Sequence, residues 1–192
     1  MNHNTLAMLD QAELQQLALN ASAANDSASA IAYWKEAVAR PDASAQAHYL
    51  LGAEYAQIKM YERAIGAMEA AIALDPSLSV ARLQLGMLLL GANQAARADE
   101  VLAVLVQLDA GNPLHHFGAG LRHLIGERLA PAVESLSQGV ALNQVNPPLN
   151  HDMQAILRQI EQRQADGTAA AAPAVEDDSQ HLLLSAYTGM RH

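Results

Sequence analysis

The 192-residue chain is 51% hydrophobic yet has one Trp and one Phe, and 11 basic against 20 acidic residues give a formal net charge of -9. That balance leaves no basic stripe for phosphate backbones or anionic lipid, so nucleic acid is excluded as an expected partner. The absence of cysteine excludes a disulfide framework and a thiolate metal site. No run reaches the length of a membrane span, and the start, MNHNTLAMLD, lacks both a basic and an apolar leader region; a cytoplasmic location without membrane insertion is expected.

In chain order, Leu9, Leu14, Leu17 and Ala21 predict a first helix over residues 6–24, closed by Asn25 and Asp26. The second, over residues 27–40 and capped by Asp26 or Ser27, carries Ile31, Trp34 and Val38 on one face and stops before Pro41. Trp34, an aromatic at helical spacing, is expected in the core. From His48 to Pro76 the chain sets small and large residues in a fixed order: Leu51-Gly52, Tyr55, Ala64, Met68, Ala71 and Leu74. Most of that order returns every 34 positions, Gly52 as Gly86 and Gly120, Ala64 as Ala98 and Ala132, Met68 as Leu102 and Leu136, Leu74 as Leu108 and Leu142. A sustained 34-residue period signals a repeat array.

A glycine within a helix costs roughly 1 kcal/mol relative to alanine, so glycines at one phase call for a cause, and close approach of two helices supplies it. Leu51, Tyr55 and Ile58 carry the helical spacing through Gly52, which predicts a contact of Gly52 with Ala64 on the next helix. Breaks within pairs fall at Lys59-Met60, Asn93-Gln94 and Glu127-Arg128, and those between pairs at Asp75-Pro76, Gly111-Asn112-Pro113 and Asn146-Pro147-Pro148. Residues 149–163 then form an amphipathic closing helix, with Leu149, Met153, Ile156, Leu157 and Ile160 on one stripe and Asp152, Arg158, Glu161 and Arg163 left for water. After Asp166-Gly167, the run TAAAAPAVEDDSQ has little to bury and reads as a flexible linker. The tail that follows carries an apolar cluster, Leu182, Leu183, Leu184, Tyr187 and Met190, with acid before it and Arg191-His192 after it, which suits the dipole of a short helix.

The order Leu-Gly, Tyr, Ala, a large apolar residue and Pro76 resembles the tetratricopeptide repeat, with His48 where that pattern begins with Trp. The match is strong over residues 45–78, good over 79–112 and weaker over 113–146, where His123 replaces Tyr55 and Gly139 replaces Ala71. Leu17-Ala18, Ala30, Trp34 and Ala37 fall on the same grid one period earlier. The resemblance implies an all-α, right-handed superhelical solenoid of about four helix-turn-helix repeats. Its divisions are residues 1–44 (a degenerate repeat), 45–78, 79–112, 113–146, a capping helix over 147–165, and a flexible linker with a short apolar tail segment over 166–192.

No phosphate loop, H-E-x-x-H or G-x-S-x-G motif is present, and Gly118-Ala119-Gly120 lacks a third glycine because position 123 is His. Neither an enzyme nor a cofactor is expected. His116 and His123 stand two helical turns apart, roughly 10 Å along the axis, so they and His115 are read as surface and inter-helix residues and no metal site is expected. In tetratricopeptide arrays the first helix of each pair lines the concave surface. Carried onto this chain, that feature names Tyr49, Ala53 and Ala56, then Leu83, Met87 and Leu90, then Phe117, Leu121 and Leu124, a stripe distinct from Leu51, Gly52 and Tyr55. Repeats that grip acidic chaperone tails carry a Lys/Asn/Arg clamp at such positions; here they are apolar, and Gln46 and Gln57 are available for orientation. The expected function is a non-catalytic scaffold or chaperone-like adaptor that binds an apolar peptide or helix of another protein in this groove. The alternatives are a small secretion chaperone similar to those of bacterial type III systems, and a regulatory subunit of an enzyme. The tail cluster is a candidate ligand for the same groove, within one chain or by exchange in a homodimer, since a linker of about 15 residues spans roughly 20 Å.

Overall fold

In the computed structural model, which describes residues 6–167, helix pairs recur along the chain and no strand occurs among the described residues. The first helices of the pairs are α1 (Gln11–Ala23), α3 (Ala45–Gln57), α5 (Ser79–Gly91) and α7 (Pro113–Ile125), each 13 residues long. Their partners are α2 (Ser27–Val38), α4 (Tyr61–Leu74), α6 (Ala95–Ala103) and α8 (Leu129–Leu142), and α9 (Pro147–Gly167) follows.

One turn explains why each pair folds alike. Asn25, Lys59, Asn93 and Glu127 adopt φ of 60°, 61°, 57° and 54°, and among the described residues they alone do so. After each, a backbone N–H reaches back five residues to a carbonyl: Asp26 to Ala21, Met60 to Tyr55, Gln94 to Leu89 and Arg128 to His123, at 2.8 to 2.9 Å. A left-handed residue with this bond satisfies the last carbonyls of a helix and reverses the chain. The turn is the same in the first pair, whose sequence is the most divergent.

Capping residues set the helix starts. Asp10 and Glu13 form a reciprocal capping box at 2.8 Å, Ser44 accepts from Ala47 N–H at 3.1 Å, and Asn112 accepts from Leu114 N–H at 3.0 Å. The cap at Asp10 begins the first helix at Gln11, five residues later than the apolar spacing suggests. Leu6 is instead buried ahead of it, and Arg40 donates to the Leu6 carbonyl at 3.1 Å. Of the two candidate caps for α2, Asp26 is used, accepting from Ser29 N–H at 3.0 Å.

The chain divides into two compact units, Met1–Ala81 and Arg82–His192. In the first, α1 packs on α2, α2 on α3 and α3 on α4, with Leu14, Ala18, Trp34, Leu51, Tyr55 and Met68 among the buried residues. A Cβ at Gly52 would stand 2.8 Å from Met68 Cγ and 3.2 Å from the Ala64 carbonyl, so α3 and α4 touch where the sequence spacing placed them. Glu54 is buried as well, with Ser22 Oγ of α1 donating to its carboxylate.

In the second unit the core joins Leu83, Met87, Leu102, Phe117, Leu121 and Leu136 to the stripe of α9. Gly86 faces Leu102 and Gly120 faces Leu136, with Cβ positions that would fall 2.5 and 2.6 Å from those side chains. Two features depart from sequence expectation. The helix begun by α6 breaks at Ala103 and a short 3-10 turn, Leu105–Gln107, follows it; Val101, Val104 and Val106 lie there, and β-branched residues weaken helix continuation. Asp152, expected to face water, is 3% exposed, because i+3 from Leu149 lies on the face of α9 that Met153 and Ile156 bury.

Candidate functional site

The apolar stripe expected to line a groove runs along α3, α5 and α7, and on α7 its Phe117 meets the partner helix α8 at Gly139. On α3, Tyr49 and Ala53 are half-buried and Ala56 is buried. On α5 and α7, Leu83, Phe117 and Leu121 are wholly inaccessible and Met87 is 2% exposed, while Leu90 and Leu124 are half-buried at the margin of the same core. In the second unit, therefore, Leu83, Met87, Phe117 and Leu121 do not face an open groove. They are interior, because large side chains at i, i+4 on neighbouring helices pack together sooner than they stand in water. The stripe divides into members that build the fold and members that reach its surface.

Phe117 shows how the stripe was accommodated. A Cβ at Gly139 on α8 would lie 2.5 Å from Phe117 Cδ1 and 3.2 Å from His116 Cβ. Gly139 stands where the best-matching repeat has Ala71, so the ring is seated in the space an alanine methyl would fill. The next residue, Gly118, fits against Leu105, whose Cβ would be 2.7 Å from an added Cβ.

Several polar groups near the stripe are committed elsewhere. Arg122 donates to Asp99 through Nε at 2.7 Å and through a second guanidinium nitrogen at 3.1 Å, linking α7 to α6. The hydrogen bond from Arg122 holds the Asp99 carboxyl below the usual carboxylate range. His115 Nδ1 donates to the Leu108 carbonyl at 3.0 Å and His116 Nε2 to the Ala110 carbonyl at 2.7 Å, the assignment required because carbonyls only accept. His116 is buried rather than superficial, and both rings fasten the connection ahead of α7. His123 loses basicity through burial and, secondarily, through nearby Arg128 and Arg122. Among the described residues no group of three or more His, Asp or Glu is placed to hold a metal ion. Gln46 and Gln57 are exposed. The tail candidates Leu182, Leu183, Leu184, Tyr187 and Met190 lie outside the described residues.

Two buried carboxyls escaped the sequence reading. Glu54 and Asp152 each stand i+3 from a core leucine, Leu51 and Leu149, and one residue before a core position, Tyr55 and Met153. That spacing is the signal that would have found them; their charge concealed it.

No protein-family model matches this sequence, and no curated protein does either. Solved structures of MamA share its fold. MamA from Desulfovibrio magneticus RS-1 superposes with a TM-score of 0.62 at 19% identity, covering 93% of this chain and 94% of that one. A second MamA crystal structure gives a TM-score of 0.60 at 13% identity over 92% of this chain and 91% of its own, and a third gives 0.60 at 22% identity over 69% and 78%. The fold is a helical repeat of the tetratricopeptide type. No helix among the described residues is long and apolar enough to cross a membrane.

Proposed function

We propose that the protein is a non-catalytic protein-interaction scaffold, and that each unit offers the accessible members of its apolar stripe to a segment of another protein. In the first unit these are Tyr49 and Ala53 on α3; in the second they are Leu90 and Leu124 at the ends of the stripes of α5 and α7. The observation that carries this reading is the pairing of half-buried leucines with a fully packed apolar bed beneath them, so that a partner side chain meets a preformed surface and orders little of the scaffold on binding. The partner segment is apolar, helical or extended, and not an acidic tail, since Arg122 is bonded to Asp99 and the stripe itself carries no cation.

A photo-crosslinking residue at Leu124, at Tyr49 or at Gly66, whose outer face on α4 is open, tests the reading in cells. Adducts to one discrete protein from Leu124 or Tyr49, absent from Gly66, are expected. Equal labelling from Gly66, or no adduct from either stripe position, would overturn it.

A further inference from the structure

α9 closes the second unit with an apolar stripe that one carboxyl interrupts. Leu149, Met153, Ile156 and Ile160 stand at i, i+4, i+7 and i+11 and are buried in the core of that unit. Asp152 is as buried as they are, at 3% exposure, and its Oδ1 has no hydrogen-bond partner. Just ahead of it, Asn143, Asn146 and Asn150 knot the α8–α9 turn. Asn143 Nδ2 donates to the Asn146 carbonyl and to Asn150 Oδ1, both at 2.9 Å, and Asn150 Nδ2 donates back to the Asn143 carbonyl at 2.8 Å. The helix is fastened at its first turn and carries an unsatisfied ionisable group immediately beyond.

We propose that α9 is a proton-controlled closing helix, held on α8 while the Asp152 carboxyl is protonated and loosened when it ionises. A neutral carboxyl can be buried at modest cost, whereas an ionised one without a partner cannot. Among the described residues no cation is placed to offset the charge. α8, the helix packed against α9, has Glu134 as its titratable residue, and it is exposed. α7, which shares the core through Phe117 and Leu121, carries His115 and His116, both bonded to backbone carbonyls, Arg122, bonded to Asp99, and His123. On α9 itself His151, Arg158, Glu161 and Arg163 are exposed.

Burial pushes the Asp152 carboxyl up to about 7. The docked helix therefore holds the proton more tightly than a released one, whose carboxyl titrates near the ordinary value of about 3.9. Docking is strongest below that ordinary value, weakens as the pH rises toward about 7, and levels off above it.

Amide hydrogen exchange on the full chain between about pH 5.5 and 8.5, corrected for the intrinsic exchange rate, yields opening constants for α9 and α7 separately. The α9 constant is expected to rise by up to roughly tenfold per pH unit until about pH 7 and then flatten, with α7 level throughout. Asp152→Asn removes the rise; should that variant fail to fold, Asp152→Leu serves the same comparison. Three results would overturn the proposal: an α9 constant independent of pH, the same rise in the variant, which would assign it to a histidine, or α7 opening in step with α9.

Discussion

Gly66 and Gly86 are both helical glycines, and their surroundings give them opposite meanings. Nothing lies within 4 Å of a Cβ at Gly66, whereas one at Gly86 would overlap Leu102 at 2.5 Å. Gly66→Ala is expected to stabilise the protein by about 0.5 to 1 kcal/mol through helix propensity alone. Gly86→Ala is expected to destabilise it by about 1 to 3 kcal/mol, because Leu102 and the helix carrying it must shift. Thermal melts of the two variants check the pair, and equal shifts of the same sign would show that the α5–α6 contact is wrongly placed. The 34-residue phase of Gly52, Gly86 and Gly120 made this contact legible in the sequence. Gly139 was legible only as a departure from pattern, since its cause is a ring on another helix, Phe117. The burial of Asp152 was not legible, because its charge favours water while its position on α9 places it in the core.

At the scale of the element, turns and caps decide where helices stop, and most of these are local signals. Lys59-Met60, Asn93-Gln94 and Glu127-Arg128 were legible as breaks, and each holds a left-handed residue at its start. The break within the helix begun by α6 was not legible, because it depends on how Leu105 seats against Gly118 as well as on a weak local propensity. The Asn143 knot belongs to the same scale. Its Nδ2 and Oδ1 engage Asn146 and Asn150 from a site 6% exposed, so Asn143→Ala leaves several polar groups unpaired. A loss of about 2 to 3 kcal/mol is expected. Chemical denaturation with exchange mapping should place the first loosening in residues 147–167, ahead of α7; an unchanged midpoint would show that the knot contributes nothing to holding α9.

Across the whole molecule, helical spacing groups the residues of the apolar stripe but does not give their depth. Spacing tells which face of a helix a residue occupies, and only the packing of neighbouring helices tells whether that face is interior. This is why Leu121 and Leu124, three residues apart on α7, differ: Leu121 is wholly inaccessible and Leu124 half-buried. The most direct test is a comparison of Leu124→Glu with Leu121→Glu, measuring for each the thermal melt and the binding of the protein captured by crosslinking from the stripe. Leu121→Glu places a charge in the core and is expected to cost about 4 kcal/mol or more, losing fold and binding together. Leu124→Glu is expected to keep the melt within a few degrees of the unmodified protein and to weaken binding at least tenfold, about 1.4 kcal/mol. A Leu124→Glu protein that melts normally and binds its partner with unchanged affinity would show that the stripe surface at Leu124 takes no part in binding.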